Sequence, residues 1–200
     1  MFKIGQLLVL LALVLSGCAA QKTTNSGFLA HYEQLEVSKD DSDDFIYQSP
    51  DISKYHAFIV DEPVFIPGEK SDQGVDVDDM AEIKSAFKDA VIESFSERYR
   101  HANAAGPDVM RIKLAITGVE KPIYWLNYLA MAVAGPVSNG GASSESEIVD
   151  SVTGARLAAL CTHTNANPFH GGLLGYFTPY RHARNILEDH AKELYEISSK

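Results

Sequence analysis

Apolar residues step by four from Ile83 through Phe87, Val91 and Phe95 to Tyr99, with Ala86 and Ala90 beside them. A helix repeats about every 3.6 residues, so this run predicts an amphipathic helix with one buried stripe. Asp79 and Glu82 read as its capping box, and its end is expected near His101, before Asn103 and Gly106-Pro107. The period then changes. Between Val109 and Thr117, Met110, Ile112, Leu114 and Ile116 alternate with Arg111, Lys113 and Thr117, which predicts a half-buried strand. Ala57 to Ile66 is an earlier strand. Pro63 inside it has no N–H to give, so it marks an edge, a bulge or the strand's end.

Ser143 to Ser151 and Ala155 to His163 flank Val152-Thr153-Gly154, a predicted hairpin turn, with Leu157, Ala159 and Cys161 expected on one face. Thr178 is expected to cap a last helix with Pro179 at its first position. Ala183, Ile186, Leu187, Ala191 and Leu194 form its apolar stripe. Near the start, Phe28, Leu29, Tyr32 and Leu35 sit at helical spacing, so a short helix capped by Ser26 is expected there. Phe45 to Tyr47 reads as extended. Strand, helix, strand, hairpin and helix together imply an α+β fold. It is a single mixed sheet of at least four strands with two main helices packed on it. The first crossover should be right-handed, making its two strands parallel. One globular domain is expected over residues 27–200, with no internal repeat.

Two apolar runs do not belong to this scheme. Ile4 to Leu15 follows a single lysine, Lys3, and ends in Leu15-Ser16-Gly17-Cys18. A positive start, an apolar core and small residues at the exit make a secretory signal, here residues 1–17. The ending resembles the lipobox of bacterial lipoproteins. That resemblance implies cleavage before Cys18, a diacylglyceryl group on its sulfur and palmitate on its new amine. Residues 18–26 then read as a lipidated, polar tether. Alanine rather than aspartate at position 19 points, by the enterobacterial sorting pattern, to the outer membrane. The second run, Ile123 to Ala134, is too short to cross a bilayer, which takes about 20 residues. It either covers the sheet's second face or exposes Tyr124, Trp125 and Tyr128 to a partner or a membrane interface.

Composition narrows the function. A hydrophobic share of 46% and a charged share of 22% are those of an ordinary globular protein. The net charge of −10 argues against nucleic acid and against adhesion to anionic lipid heads. Attachment must then come from the covalent lipid on Cys18, and no other cofactor is expected. With Cys18 a thioether, Cys161 has no partner for a disulfide and is expected in the core. A catalytic thiol would need a base, and His163 is its one neighbour of that kind.

The remaining candidates are weak. Asp72, Asp76, Asp78 and Asp79 lack the spacing of a calcium loop and read as a solvated loop with a helix cap. His163, His170 and His182 match no zinc pattern. Gly171-Gly172-Leu173-Leu174-Gly175 lacks both phosphate-loop signatures. There is no Gly-x-Ser-x-Gly elbow and no assembled set of base, nucleophile and oxyanion donors.

Several short motifs occur in a telling order. They are Ser26-Gly27-Phe28-Leu29 with Tyr32 and Leu35; Tyr47, Pro50, Asp51 and Tyr55; and Ile59-Val60-Asp61. Gly106-Pro107 before Val109-Met110-Arg111-Ile112, then Ile116-Thr117-Gly118-Val119, and Glu147 to Gly154 complete them. The series resembles the bacterial lipoprotein family known only as domain of unknown function three-three-one-three. That resemblance implies an envelope lipoprotein and carries no catalytic residue. The expected function is therefore a lipid-anchored, non-enzymatic protein of the outer membrane, facing the periplasm. Its role would be structural or the binding of an envelope protein or glycan. The alternative is a periplasmic carrier of a small molecule or lipid, or a hydrolase without a recognised motif; the Gly171 to Tyr180 loop and the histidines would then supply its site.

Overall fold

The structure is a computed structural model that describes residues 25–39, 44–68, 71, 74–120, 141–165 and 180–199. The described residues form one mixed sheet and two long helices, the α+β arrangement that the periodicity implies. The strands are β1 (Glu36–Val37), β2 (Phe45–Gln48), β3 (Ala57–Val60), β4 (Val64–Phe65), β5 (Arg100–His101), β6 (Val109–Glu120), β7 (Gly141–Asp150) and β8 (Arg156–Asn165). The helices are α1 (Val77–Ser96) and α2 (Arg181–Ser199). Across the sheet the order is β1-β2-β8-β7-β6-β3-β5, with β4 also pairing to β6. β3 runs parallel to β6, as the crossover through α1 requires. β6, β7 and β8 form an antiparallel centre.

Both helices cover one face. Ile83, Phe87, Val91 and Phe95 of α1, and Ala183, Ile186, Leu187, Ala191 and Leu194 of α2, share one core with Met110, Ile112, Leu114 and Ile116 of β6. At about 25 cal/mol per Å² of buried apolar surface, this cluster is the main source of stability. Arg184 Nη1 bonds Glu82 Oε2 at 2.8 Å and ties the helices together at the surface.

Several details depart from the sequence-based expectation. Only a 3-10 turn, Tyr32–Gln34, forms where a helix was expected over residues 27–35. Gly27 takes φ +80, and the Tyr32 hydroxyl accepts from the N–H groups of Gly27 (3.0 Å) and Leu29 (3.2 Å), so the chain folds back on itself. The strand expected over 57–66 is broken at Asp61–Pro63. Between Val60↔Ile112 and Val64↔Ala115 the chain advances four residues against three on β6, so Pro63 lies in a bulge. The cap of α1 is Asp76, whose side chain accepts from Asp78 N at 2.9 Å; Asp79 lies one turn inside, where its charge suits the helix dipole. The helix stops at Ser96, and Arg100–His101 leave it to pair with β3.

Leu157, Ala159 and Cys161 do not share a face. Ile148 pairs Ala158 while Val149 pairs Arg156, so Leu157 is an extra residue and turns into the helix-side core. Ala159 and Cys161 pack on the opposite side with Leu29. The hairpin turn itself is as expected, with Gly154 at φ +75, a conformation that side chains resist.

Candidate functional site

β7 reads Gly-Ala-Ser-Ser-Glu-Ser-Glu-Ile-Val-Asp, yet every one of its residues is buried. Its position at the middle of the sheet explains this: each face must be covered, and the polar side chains must find partners inside. Glu145 and Glu147 point away from the helices. One row across the sheet is Phe45–Cys161–Glu145–Ala115, and the next is Tyr47–Ala159–Glu147–Lys113.

Residues 26–35 lie across this face as a strap. Leu29 packs on Ala159 and Cys161, with Phe28, Tyr32 and Leu35 around them. A buried carboxylate needs hydrogen-bond donors, and the strap supplies them. Ser26 donates to Glu145 from its backbone N–H (2.9 Å) and its hydroxyl (2.8 Å), and the Tyr32 hydroxyl donates to the same group. Burial, then that bond, raises the Tyr32 phenol above its ordinary pKa. Glu147 accepts from Arg156 Nη2 (2.7 Å) and Nε (2.9 Å) and from Lys113 Nζ (3.2 Å). Arg156 also donates to His31 O at 2.8 Å and lies over the Tyr47 ring. Two charged residues of the sheet therefore hold the strap: Glu145 at Ser26 and Tyr32, and Arg156 at His31.

A second knot closes the end of the sheet. Tyr55 donates to Asp150 Oδ2 at 2.5 Å, while Asp150 Oδ1 accepts from Val152 N (2.8 Å) and Thr153 N (2.6 Å). The bond from Tyr55 is the largest cause that holds Asp150 at about 2; burial, then that bond, pushes Tyr55 up to about 12. Ser151 links the turn to Gly106 through its hydroxyl, at 3.0 Å to both N and O.

Beside the strap the sheet edge opens. The β1–β2 ribbon and the C-terminal half of α2 enclose a groove of about 650 Å³, within the range of ligand sites. Val37, Ile46, Tyr47 and Ile197 give it apolar surface, and its charged lining among the described residues is Glu36, Asp44, Glu193, Glu196 and Lys39. These residues come from three segments far apart in sequence, and no local pattern marks them.

The residues singled out from sequence fare differently. Cys161 is buried, and burial, then the charges of Glu145 and Asp44, push its thiol up to about 12. It is thus a thiol and not a nucleophilic thiolate at neutral pH. His182 is buried at the start of α2, where burial and then Arg181 lower its pKa; His163 is half-buried on β8. The contact that sequence did not flag is His190. Its Nδ1 lies 3.0 Å from Ser144 Oγ and its Nε2 3.1 Å from Thr164 Oγ1. Serine and histidine at this distance resemble a nucleophile and its base. Here both are buried between α2 and the sheet, and burial holds the imidazole at about 3, so it is neutral at pH 7. Asp76 and Asp78 belong to the start of α1, and among the described residues no three His, Cys, Asp or Glu side chains gather to hold a metal. Cys18, Asp72, Tyr124, Trp125, Tyr128, His170, the Gly171 to Gly175 loop and the Thr178-Pro179 cap lie outside the described residues. Among the described residues no helix is long and apolar enough to cross a membrane.

Fold and site together define a small α+β sheet domain with one face under helices, the other under an N-terminal strap, and a groove at one edge. The chain belongs to the family described as protein of unknown function (DUF3313), whose model matches residues 24–194. Among curated proteins none matches it. Similar solved structures include a PelC variant dodecamer from Paraburkholderia phytofirmans, at 8% identity and TM-score 0.48, covering 78% of this chain and 95% of that one. A second PelC dodecamer from the same organism shares 10% identity at TM-score 0.45, with the same coverage. A DUF4136 family protein from Bacteroides thetaiotaomicron shares 12% identity at TM-score 0.40, covering 78% and 96%.

Proposed function

We propose that this is a lipid-anchored protein of the bacterial envelope whose domain binds a partner and catalyses no reaction. The observation that carries the reading is the seating of Ser26 on Glu145, eight residues after Cys18 in the Leu-Ser-Gly-Cys motif. Eight residues reach at most about 28 Å, so acyl chains on Cys18 would keep the domain close against a bilayer. Two or three such chains hold for practical purposes permanently, at about 0.8 kcal/mol per buried methylene. Ala19 favours the outer membrane, with the domain in the periplasm. The absence of catalysis is supported by the buried Ser144–His190 pair and the protonated Cys161. The groove between the β1–β2 ribbon and α2 is the best contact surface for an envelope protein or glycan. Tyr124, Trp125 and Tyr128 are further contact candidates. Four carboxylates on the groove disfavour a lipid tail inside it, which weighs against the carrier reading.

The test is metabolic labelling with a palmitate analogue, followed by membrane fractionation. The wild-type chain should take up label and sediment with outer membranes, and Cys18→Ala should lose both properties. A Cys18→Ala chain that keeps label and membrane would overturn the anchor.

A further inference from the structure

The groove at the β1 edge has features that select its occupant, and the inference from them rests on the partner-binding reading above. The first is its charge. Among the described residues that line it, four carboxylates (Glu36, Asp44, Glu193 and Glu196) outnumber one lysine, Lys39, so the groove favours cations over anions. The second is its apolar surface, Val37, Ile46, Tyr47 and Ile197, which gains nothing from a bare metal ion or a small amine. The third is independent of both and concerns the backbone. Ser38 N donates to Asp44 O at 2.8 Å, so Ser38 and Asp44 form a bonded pair of the antiparallel ladder. Bonded and non-bonded pairs alternate, so Val37, opposite Phe45, turns its N–H and C=O away from β2. Among the described residues β1 is the last strand of the sheet on this side, and Val37 is 54% exposed.

A free strand edge is a template for another strand. An extended segment beside β1 would meet the Val37 N–H and C=O with its own backbone. Its side chains alternate, so apolar ones can lie on the groove's apolar surface while basic ones reach Glu36 and Glu196. We propose that the groove binds an extended segment of a partner protein that carries lysine or arginine, added as a further strand beside β1.

The probe is a fluorescein-labelled peptide of five Lys-Val repeats, with five Glu-Val repeats as control. Binding to the whole chain in detergent micelles is followed by fluorescence anisotropy. The lysine peptide should bind, more weakly as salt rises, and the glutamate peptide should not. Glu36→Lys with Glu196→Lys should weaken binding at least tenfold. Val37→Pro removes the outward N–H and leaves the β1–β2 bonds in place, so it should cost about fivefold. Circular dichroism melts identify any variant that fails to fold, and Val37→Ala keeps the edge donor as a second control. Equal binding of both peptides, or indifference to the charge reversal, would overturn the proposal. Indifference to Val37→Pro would overturn the added strand. Self-association that competes with the peptide would assign the groove to a second copy, and would also overturn it. Peptide binding by Cys18→Ala should match wild type, so failure of the anchor and failure of the groove are separate results.

Discussion

Glu145 is joined to Ser26 and Tyr32 across 119 and 113 residues of sequence, and each partner depends on the other. Without the strap the carboxylate would be left on an apolar face beside Cys161 and Ala115; without the carboxylate the strap keeps its Arg156 bond and its apolar contacts. Glu145→Ala should lower global stability by about 2 kcal/mol, the loss of a hydrogen-bonded charge whose partners lie near enough to the surface to find water. Its sharper effect should be local. In a Cys18→Ala background, where Cys161 is the one thiol, its labelling by a thiol reagent at neutral pH should rise about tenfold, because opening of the strap no longer breaks the bonds to Glu145. An unchanged rate would show that apolar contacts alone seat the strap. His190 governs acid sensitivity instead. Its folded pKa of about 3 lies below the ordinary 6.5, so the stability it contributes is full above about 6.5 and is lost as pH falls toward 3. Asp150 follows the same sign lower down, between its ordinary value near 4 and about 2. Urea midpoints taken from pH 7 to pH 4 should fall in the wild type, and the fall should be shallower in His190→Gln.

At the scale of the element, the bulges matter most. Ile116 pairs Ser144 and Gly118 pairs Ser143, so Thr117 is the extra residue, and its hydroxyl bonds Ser143 Oγ at 2.9 Å. A Cβ on Gly118 would stand 2.4 Å from Ser143 Oγ but 3.6 Å from its Cβ. Gly118→Ala should therefore destabilise by about 2 kcal/mol, and Ser143→Ala in the same chain should recover most of that loss, less the bond to Thr117. Denaturant titration of the two single variants and the double variant measures the coupling. The long helices and β6 were legible because their apolar residues repeat with the period of their own backbone. The hairpin was legible from its turn, Val152-Thr153-Gly154, and not from β7, which is largely polar, or β8, whose alternation is broken at Leu157. The two-residue strands β1 and β5 are too short to carry a period and exist because a neighbouring edge accepts them. Residues 27–35 have the spacing of a helix, but the Tyr32 hydroxyl and Glu145 compete for the same backbone and polar groups, and they win.

For the whole molecule, the sequence indicated the layers better than the surfaces. The helix-covered face could be foreseen from the alternation in β6. The strapped face could not, since Ser143, Glu145 and Glu147 read as polar residues that water would serve equally well. The groove was hidden for a different reason: Glu36, Asp44, Glu193 and Glu196 meet only after β1 reaches the sheet edge beside α2. The family motifs gain a physical account. Ser26, Tyr32 and Glu147 belong to the strap and its seat, while Tyr55, Gly106, Asp150, Ser151 and Gly154 tie the turn at the sheet's end.

The strap also decides how the molecule bears a load. Any pull through the residues before Ser26 arrives at the centre of the sheet, on the carboxylate of the middle strand, and not on the exposed rim. The strap must peel off first, bond by bond, and releases some ten residues of chain before tension reaches β1. A sacrificial length of chain of this kind works as a shock absorber, and the core behind it is spared.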